Sequence, residues 1–501
     1  MNDLKALIST FTSEEQQKFT TYLEKKNKRS DTKNIQLFKY IAKEDLTTQA
    51  ICSKIYGIEK TNAYHALRKR LYQSILDFFA NMSLHEENSN DMQIIKYILA
   101  ARKCLLHKQY KVAYKILDKA ESQATEHYLF PILNEIYHTK IQYAYGNTSI
   151  DLDALIIKFK QNQKNHQLED ELNIVYAKVR RTLNNITYKG SVLDFQTILD
   201  HILKEHDISL NESLSFKSLY QLMSIIGLSA FVTNDYLKTE PFLINTYNSI
   251  LKKRKKDKSV YYHIQILYLI ANTLFRSKKF KQSLEYLNVM HQEMQKKHKK
   301  YYNTFKLKYV LLQSLNLNYS NNPEKAIALL TPLTKIKHPD TESMLDIHLG
   351  LIVFHCQQGD YIKANRIFTK FYHTDQWYVE RAGKAWVIKK NLTEILLLLE
   401  LEYIDLLESR LLSFKRTYYN YLKSIKQERV ITYISLVEHY YKNPENVTTK
   451  AFKDTVENAF EWLSKEKEDI FVMSFYAWLK SKMENQDLYK TTLKLIENSI
   501  S

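Results

Sequence analysis

The stretch His348-Leu349-Gly350-Leu351-Ile352-Val353-Phe354-His355-Cys356-Gln357-Gln358-Gly359-Asp360-Tyr361-Ile362-Lys363-Ala364, followed by Phe368 and Phe371, reads as two antiparallel helices joined at Gly359-Asp360. Its first half carries bulky apolar residues at helical spacing, and the Gly-Asp pair interrupts them as a turn does. Ala364 opens the second helix with a side chain small enough for close backbone approach, while Phe368 and Phe371 close the far side. One such hairpin leaves an apolar face open, so the pattern predicts neighbours of the same build.

With that alanine as the reference, four segments lie on one template of roughly 34 residues. The first is Leu345 to Tyr378, around the quoted turn. Ile94 to His127 places Ala100 and Ala101 at the small positions of its first helix and Tyr110, Ala113, Leu117 and Ala120 along its second. Ile264 to Lys297 offers Ala271, Phe280, Ser283, Leu287 and Met290 in the same order. Leu307 to Asp340 supplies Ser314, Ala326, Leu330 and Leu333, and Pro323 suits the first turn of its second helix.

This order of small residue, turn, small residue and bulky pair resembles the tetratricopeptide repeat. The resemblance implies an all-α fold, a right-handed superhelix (α-solenoid) of antiparallel helix pairs, which binds a protein or peptide partner in its groove. The groove's inner wall would come from the first helices and expose His348 and His355. Two residues depart from the family pattern: His348 stands in place of the usual tryptophan and Ile352 in place of a small residue. A weaker unit, Tyr220 to Lys253, has Gly227 at the small position and Tyr236 at the turn, with Pro241 falling inside its second helix. Between 128 and 218, and after 376, helical periodicity continues while the signature fades. The expected organisation is a helical head over 1–85, the repeat array over 86–450 and capping helices over 451–501, with Trp462 and Trp478 in the core.

Composition agrees with an all-helical chain. Only 7 glycines and 6 prolines punctuate 501 residues, no segment alternates as a strand does, and 45% apolar residues supply a large core. The start, Met1 to Phe11, lacks the pattern of a secretory signal. The greasiest run, Ile395 to Leu407, is too short to span a bilayer and is broken by Glu400, Glu402 and Asp405. Cys52, Cys104 and Cys356 are far apart among apolar neighbours and read as reduced core thiols, so a cytoplasmic location is expected.

Residues 1–85 do not follow the repeat. Helices are predicted near 13–26, 34–42, 47–56 and 60–84, and the segment from Thr48 to Leu71 resembles a bacterial helix-turn-helix, with Gly57 at the turn and Ile51, Ile55, Ile58, Ala63 and Leu67 setting the helix angle. That resemblance implies that Lys60, Thr61, Asn62, Tyr64, His65 and Arg68 lie at the exposed start of the second helix, where nucleic acid would be met. The second helix continues through Ile75, Phe78, Phe79 and Met82, and no strand pair follows to form a wing. With 14 basic against 9 acidic residues, the head permits nucleic-acid binding without demanding it.

The whole chain carries a formal charge of +18. Its densest basic runs, Lys252-Lys253-Arg254-Lys255-Lys256 and Lys296-Lys297-His298-Lys299-Lys300, fall at equivalent places on the template and would align along one edge of a stack, facing a phosphate backbone or an acidic tail. Helix-end cations that offset the helix dipole give the same pattern. No phosphate-binding glycine loop, paired-histidine helix, calcium loop or nucleophile elbow is present. The expectation is a non-enzymatic interaction scaffold without cofactor or metal, with a nucleic-acid-binding regulator as the alternative.

Overall fold

The structure, a computed structural model, describes residues 2–11, 13–26, 33–43, 47–58, 60–86, 90–147, 149–189, 204, 216–233, 236–253, 260–336, 338–425, 427–459 and 468–499. Among the described residues every regular element is a helix and no strand occurs. No described helix is long and apolar enough to cross a membrane. The chain divides into two compact units, Met1–Gln163 and Lys164–Ser501.

The first unit contains α1 (Asn2–Ser9), α2 (Ser13–Lys26), α3 (Lys33–Lys43), α4 (Thr48–Tyr56), α5 (Thr61–Glu86), α6 (Asn90–Leu106), α7 (Tyr110–Glu126), α8 (Phe130–Gln142) and the beginning of α9 (Leu152–Lys189). Its apolar side chains gather in two separate clusters. One, from α1 to α5, centres on Phe11, Phe19, Phe38 and Phe78, with the Phe19 and Phe38 rings edge to face at 4.9 Å. The other joins Ile94, Ala101, Leu117, Leu133 and Leu155 from α6 to α9. Each large apolar side chain so buried contributes about 1.5–3 kcal/mol, so the residues expected to form the head have a core of their own.

The second unit comprises the remainder of α9, then α10 (Phe216–Thr233), α11 (Tyr236–Lys253), α12 (Val260–Arg276), α13 (Phe280–Met294), the single turn α14 (Lys296–Lys299), α15 (Tyr302–Tyr319), α16 (Pro323–Leu330), α17 (Thr341–Gln357), α18 (Tyr361–Phe368), α19 (Asp375–Ala382), α20 (Lys384–Glu400), α21 (Ile404–Ser424), α22 (Glu428–Lys442), α23 (Lys450–Ala459), α24 (Ile470–Glu484) and α25 (Leu488–Glu497). First helices α12, α15, α17 and α20 each pack on their own second helix, and α12, α15 and α17 also on the next first helix. Helix α11 runs through Pro241, so the weak unit's proline lies inside its second helix.

One turn recurs in these hairpins. Lys108, Tyr128, Lys278, Asn321, Gly359 and Glu402 all adopt left-handed φ, between 52° and 73°, each two residues before the next helix begins. The following backbone N–H donates to the carbonyl five residues earlier, as from Gln109 to Cys104 and from Lys279 to Leu274, both at 2.9 Å, and from Tyr403 to Leu398 at 3.0 Å. This is the Schellman closure that satisfies the last carbonyls of a helix, and glycine is its favoured residue. Here only one of the six positions is glycine. Three residues into each second helix a side chain is buried: Ala113, Ser283, Ala326 and Ala364 at no exposure, and Leu133 and Leu407 in the two hairpins that the template does not match.

The last hairpin, α24 and α25, does more than close an end. Ile470, Met473 and Ile496 join the core built by α9 to α15, whereas Trp478, Leu479 and Met483 join the core of α17 to α23. Asp469 pairs with Arg276 of α12, Tyr489 donates to the Asn318 carbonyl at 2.5 Å, and Tyr433 donates to the Phe475 carbonyl at 2.9 Å. Trp478 is buried as expected. Trp462 lies outside the described residues.

Candidate functional site

In the head, Thr47 caps α4 by accepting from the Ala50 N–H at 3.3 Å, and Gly57, at φ 73°, ends it with its N–H donating to the Ser53 carbonyl at 2.8 Å. Cys52 is buried and accepts the Lys60 N–H at 3.1 Å, which ties the turn to the start of α5. Lys60, Thr61, Asn62 and His65 are exposed there. Tyr64 is not among them: it is fully buried. The reason is helical period, since Tyr64 lies on the stripe of Leu67, Leu71, Ile75 and Phe78 that packs into the head core. Burial pushes its phenol above the ordinary value. Arg68 is half-buried beside it, with Nε shielded from solvent, and so is withdrawn from the exposed set. Ile58, expected to brace the helix angle, is 59% exposed.

Of the basic runs, Arg254, Lys255 and Lys256 lie outside the described residues, while Lys252 and Lys253 form the last residues of α11. Lys296 and Lys297 open α14. Lys296 pairs with Glu293 at 2.7 Å, so it serves the fold at least locally. Burial opposes the charge on Glu293, but His263 and Lys296 overcome it and hold its carboxyl down at about 2. Lys299 and Lys300 are exposed, and Lys300 lies over the Tyr301 ring at 5.4 Å.

The two histidines assigned to a groove do not line an open one. His355 is 8% exposed, with Nδ1 3.6 Å from the Asp360 carboxylate. His348 is half-buried, its Nδ1 2.7 Å from the Met344 carbonyl and its ring 6.2 Å from that of Phe371. Burial lowers the pKa of both. The spacing of seven between them leaves them on one face of α17, and that face packs inside the hairpin.

The opposite face of α17 lines a cavity of about 250 Å³. Its wall comes mainly from the first helices α12, α15, α17 and α20 and from α24, with Tyr361 of α18 and Leu488 of α25. Apolar and aromatic groups predominate, among them Leu311, Leu315, Val353, Trp386, Phe471 and Trp478. Four charged side chains also face it. Arg276 is paired with Asp469 and stands 5.0 Å from the Phe471 ring. Glu400 accepts from Trp478 Nε1 at 2.6 Å and from Lys482 at 2.7 Å. Asp346 accepts from Trp386 Nε1 at 2.9 Å through one oxygen. Lys389 lies over the Phe471 ring at 4.8 Å and feels the carboxylates of Asp469 and Asp346 through space.

Burial sets the electrostatics of the last two. It lifts the Asp346 carboxyl to about 6, against the Trp386 hydrogen bond and the charges of Lys389 and Arg276. It lowers the Lys389 ammonium below its usual range, despite Asp469 and Asp346. Cavity-facing groups whose charge is disfavoured in this way mark candidate sites. The described residues hold no cluster of His, Cys, Asp and Glu suited to a metal ion.

Neither a protein-family model nor a curated protein sequence matches this chain. The sequence reading missed Asp346, Lys389, Arg276, Trp386 and Trp478 as a group. Their one local signal is charge within apolar helices, as in Trp386-Val387-Ile388-Lys389, and nothing local says that four helices bring them together.

Proposed function

We propose that this protein is a non-enzymatic interaction scaffold: a tetratricopeptide-like α-solenoid that takes a protein or peptide partner, carried with a helix-turn-helix-like head. The observation that carries the reading is the repeated hairpin, with six left-handed turns of one geometry and a buried side chain at the same place in each following helix. Modular hairpins of this kind build extended surfaces without assembling a reaction centre. The last hairpin fills much of the space against the first helices, so partner binding is assigned to surfaces other than His348 and His355.

A second reading has its own support. Lys60, Thr61, Asn62 and His65 are exposed together at the start of α5, which favours a nucleic-acid-binding head. Affinity capture from the native lysate with and without nuclease separates the two. Partners that persist after nuclease support the scaffold, and partners lost with the nucleic acid support the regulator. Absence of any captured protein in either arm would refute the scaffold reading.

A further inference from the structure

The cavity walled by α12, α15, α17, α20 and α24 presents two opposite charges whose mutual attraction does not offset the cost of their burial. Arg276 and Glu400 have partners in Asp469 and in Lys482 with Trp478. That leaves the Lys389 ammonium, which lies over the Phe471 ring, and the second oxygen of Asp346, whose first oxygen takes the Trp386 indole N–H. Both line the same 250 Å³ space, where each feels the other's charge through space while Asp346 takes its hydrogen bond from Trp386. The Gln357 amide is a third polar group on this wall. It is 3% exposed, its oxygen accepts from Asn318 at 2.8 Å, and its nitrogen, beside the Tyr319 hydroxyl, makes no well-formed hydrogen bond.

A desolvated charge is costly unless it is paired, so a carboxylate and an ammonium facing one largely apolar space call for a molecule bearing the opposite pair. An apolar body alone would desolvate both charges further and give neither a hydrogen-bonded partner. A monoanion would pair with Lys389 and be repelled by Asp346, and a monocation would meet the converse. The space exceeds the roughly 150 Å³ void that accepts a benzene ring, and indole and phenyl rings of Trp386, Trp478 and Phe471 line it.

We propose that this cavity binds a small zwitterion with an apolar body, the class of free aromatic and branched aliphatic amino acids, with Lys389 receiving the carboxylate and Asp346 the ammonium. The Gln357 amide supplies a further hydrogen bond, and the aromatic wall packs on the side chain. This site is independent of any protein partner and stands whether or not the scaffold reading does.

The test is calorimetric titration of the full chain with L-tryptophan, L-phenylalanine and L-leucine, set against 3-phenylpropionate, which lacks the ammonium, 2-phenylethylamine, which lacks the carboxylate, and glycine, which lacks the body. At least one of the three amino acids should bind roughly tenfold tighter than either half-analogue, a difference of about 1.4 kcal/mol, and glycine should not register. Lys389→Met should bring amino acid and amine to equal affinity, and Asp346→Asn should do the same for amino acid and phenylpropionate. Because the ligand panel is read on the unaltered protein, misfolding of a variant does not decide the matter. Half-analogues that bind as tightly as the amino acids, no heat from any of the three at millimolar concentration, or discrimination that survives in folded variants would overturn the proposal.

Discussion

Replacing Asp346 by asparagine should make the second unit more stable at neutral pH. The carboxyl moves from 3.8 to about 6 on folding, because burial and the like charge of Glu342 outweigh the Trp386 hydrogen bond and the nearby cations. Between those two values the folded protein holds a proton that the unfolded chain has released, so stability falls as pH rises through this window; above about 6 the penalty is complete. Each pH unit of that interval is worth about 1.4 kcal/mol, which sets a ceiling of about 3 kcal/mol on the gain. Asparagine keeps an oxygen for the Trp386 N–H, so the indole does not lose its acceptor. The assay is urea unfolding of both proteins from pH 3.5 to 8, followed by tryptophan fluorescence. All four tryptophans, at 377, 386, 462 and 478, belong to the second unit, so the signal reports that unit alone. The two midpoints should coincide near pH 3.5 and separate by pH 7 with the variant higher. A gap independent of pH, or a variant less stable at pH 7, would refute the reasoning. A gain of this kind is expected where a residue is kept for binding at the expense of stability.

Three further outcomes follow from the packing and the turns. Ala364→Arg, which drives a charged chain among Ile352, Phe368 and Leu397, should cost several kcal/mol, on the order of 3 or more; a thermal midpoint equal to wild type would count against the hairpin contact. Gly359 sits at φ 73° with open space where a Cβ would stand, so Gly359→Ala should cost about 1 kcal/mol by strain alone, while Glu402→Gly, at φ 57° on the surface, should gain up to about 1 kcal/mol. Opposite signs in urea midpoints check the pair. In the head, Lys60→Ala and Asn62→Ala should weaken any duplex binding read by fluorescence anisotropy at two salt concentrations while leaving the melting of the first unit unchanged, whereas Tyr64→Ala should lower that melting by about 3–5 kcal/mol of lost core. Binding by the full chain that is insensitive to salt and to both surface variants would remove the nucleic-acid reading of this face.

The sequence by itself determined that the chain is helical, roughly where the helices of the head lie, and which hairpins carry a small buried residue. Those properties are local: a 3.6-residue apolar period and an alanine at a fixed place after a turn can be read without knowing what lies across the contact. The template stopped at the hairpins containing Tyr128 and Glu402 because leucine, not a small residue, fills the buried place there. The same geometry is held by hydrogen bonds, which leave little trace in residue type. Which polar residues face inward was decided only by the tertiary structure. Tyr64 looked like part of an exposed set until its stripe was seen to pack into the head, and His355 looked like a groove residue until its face proved to be covered. The cavity depends on residues from Arg276 to Trp478, which come together only because the last hairpin returns to pack against helices nearly two hundred residues earlier in the chain. No local pattern encodes such a return, because its driving force is the burial of apolar surface that becomes complementary only after the earlier hairpins have stacked.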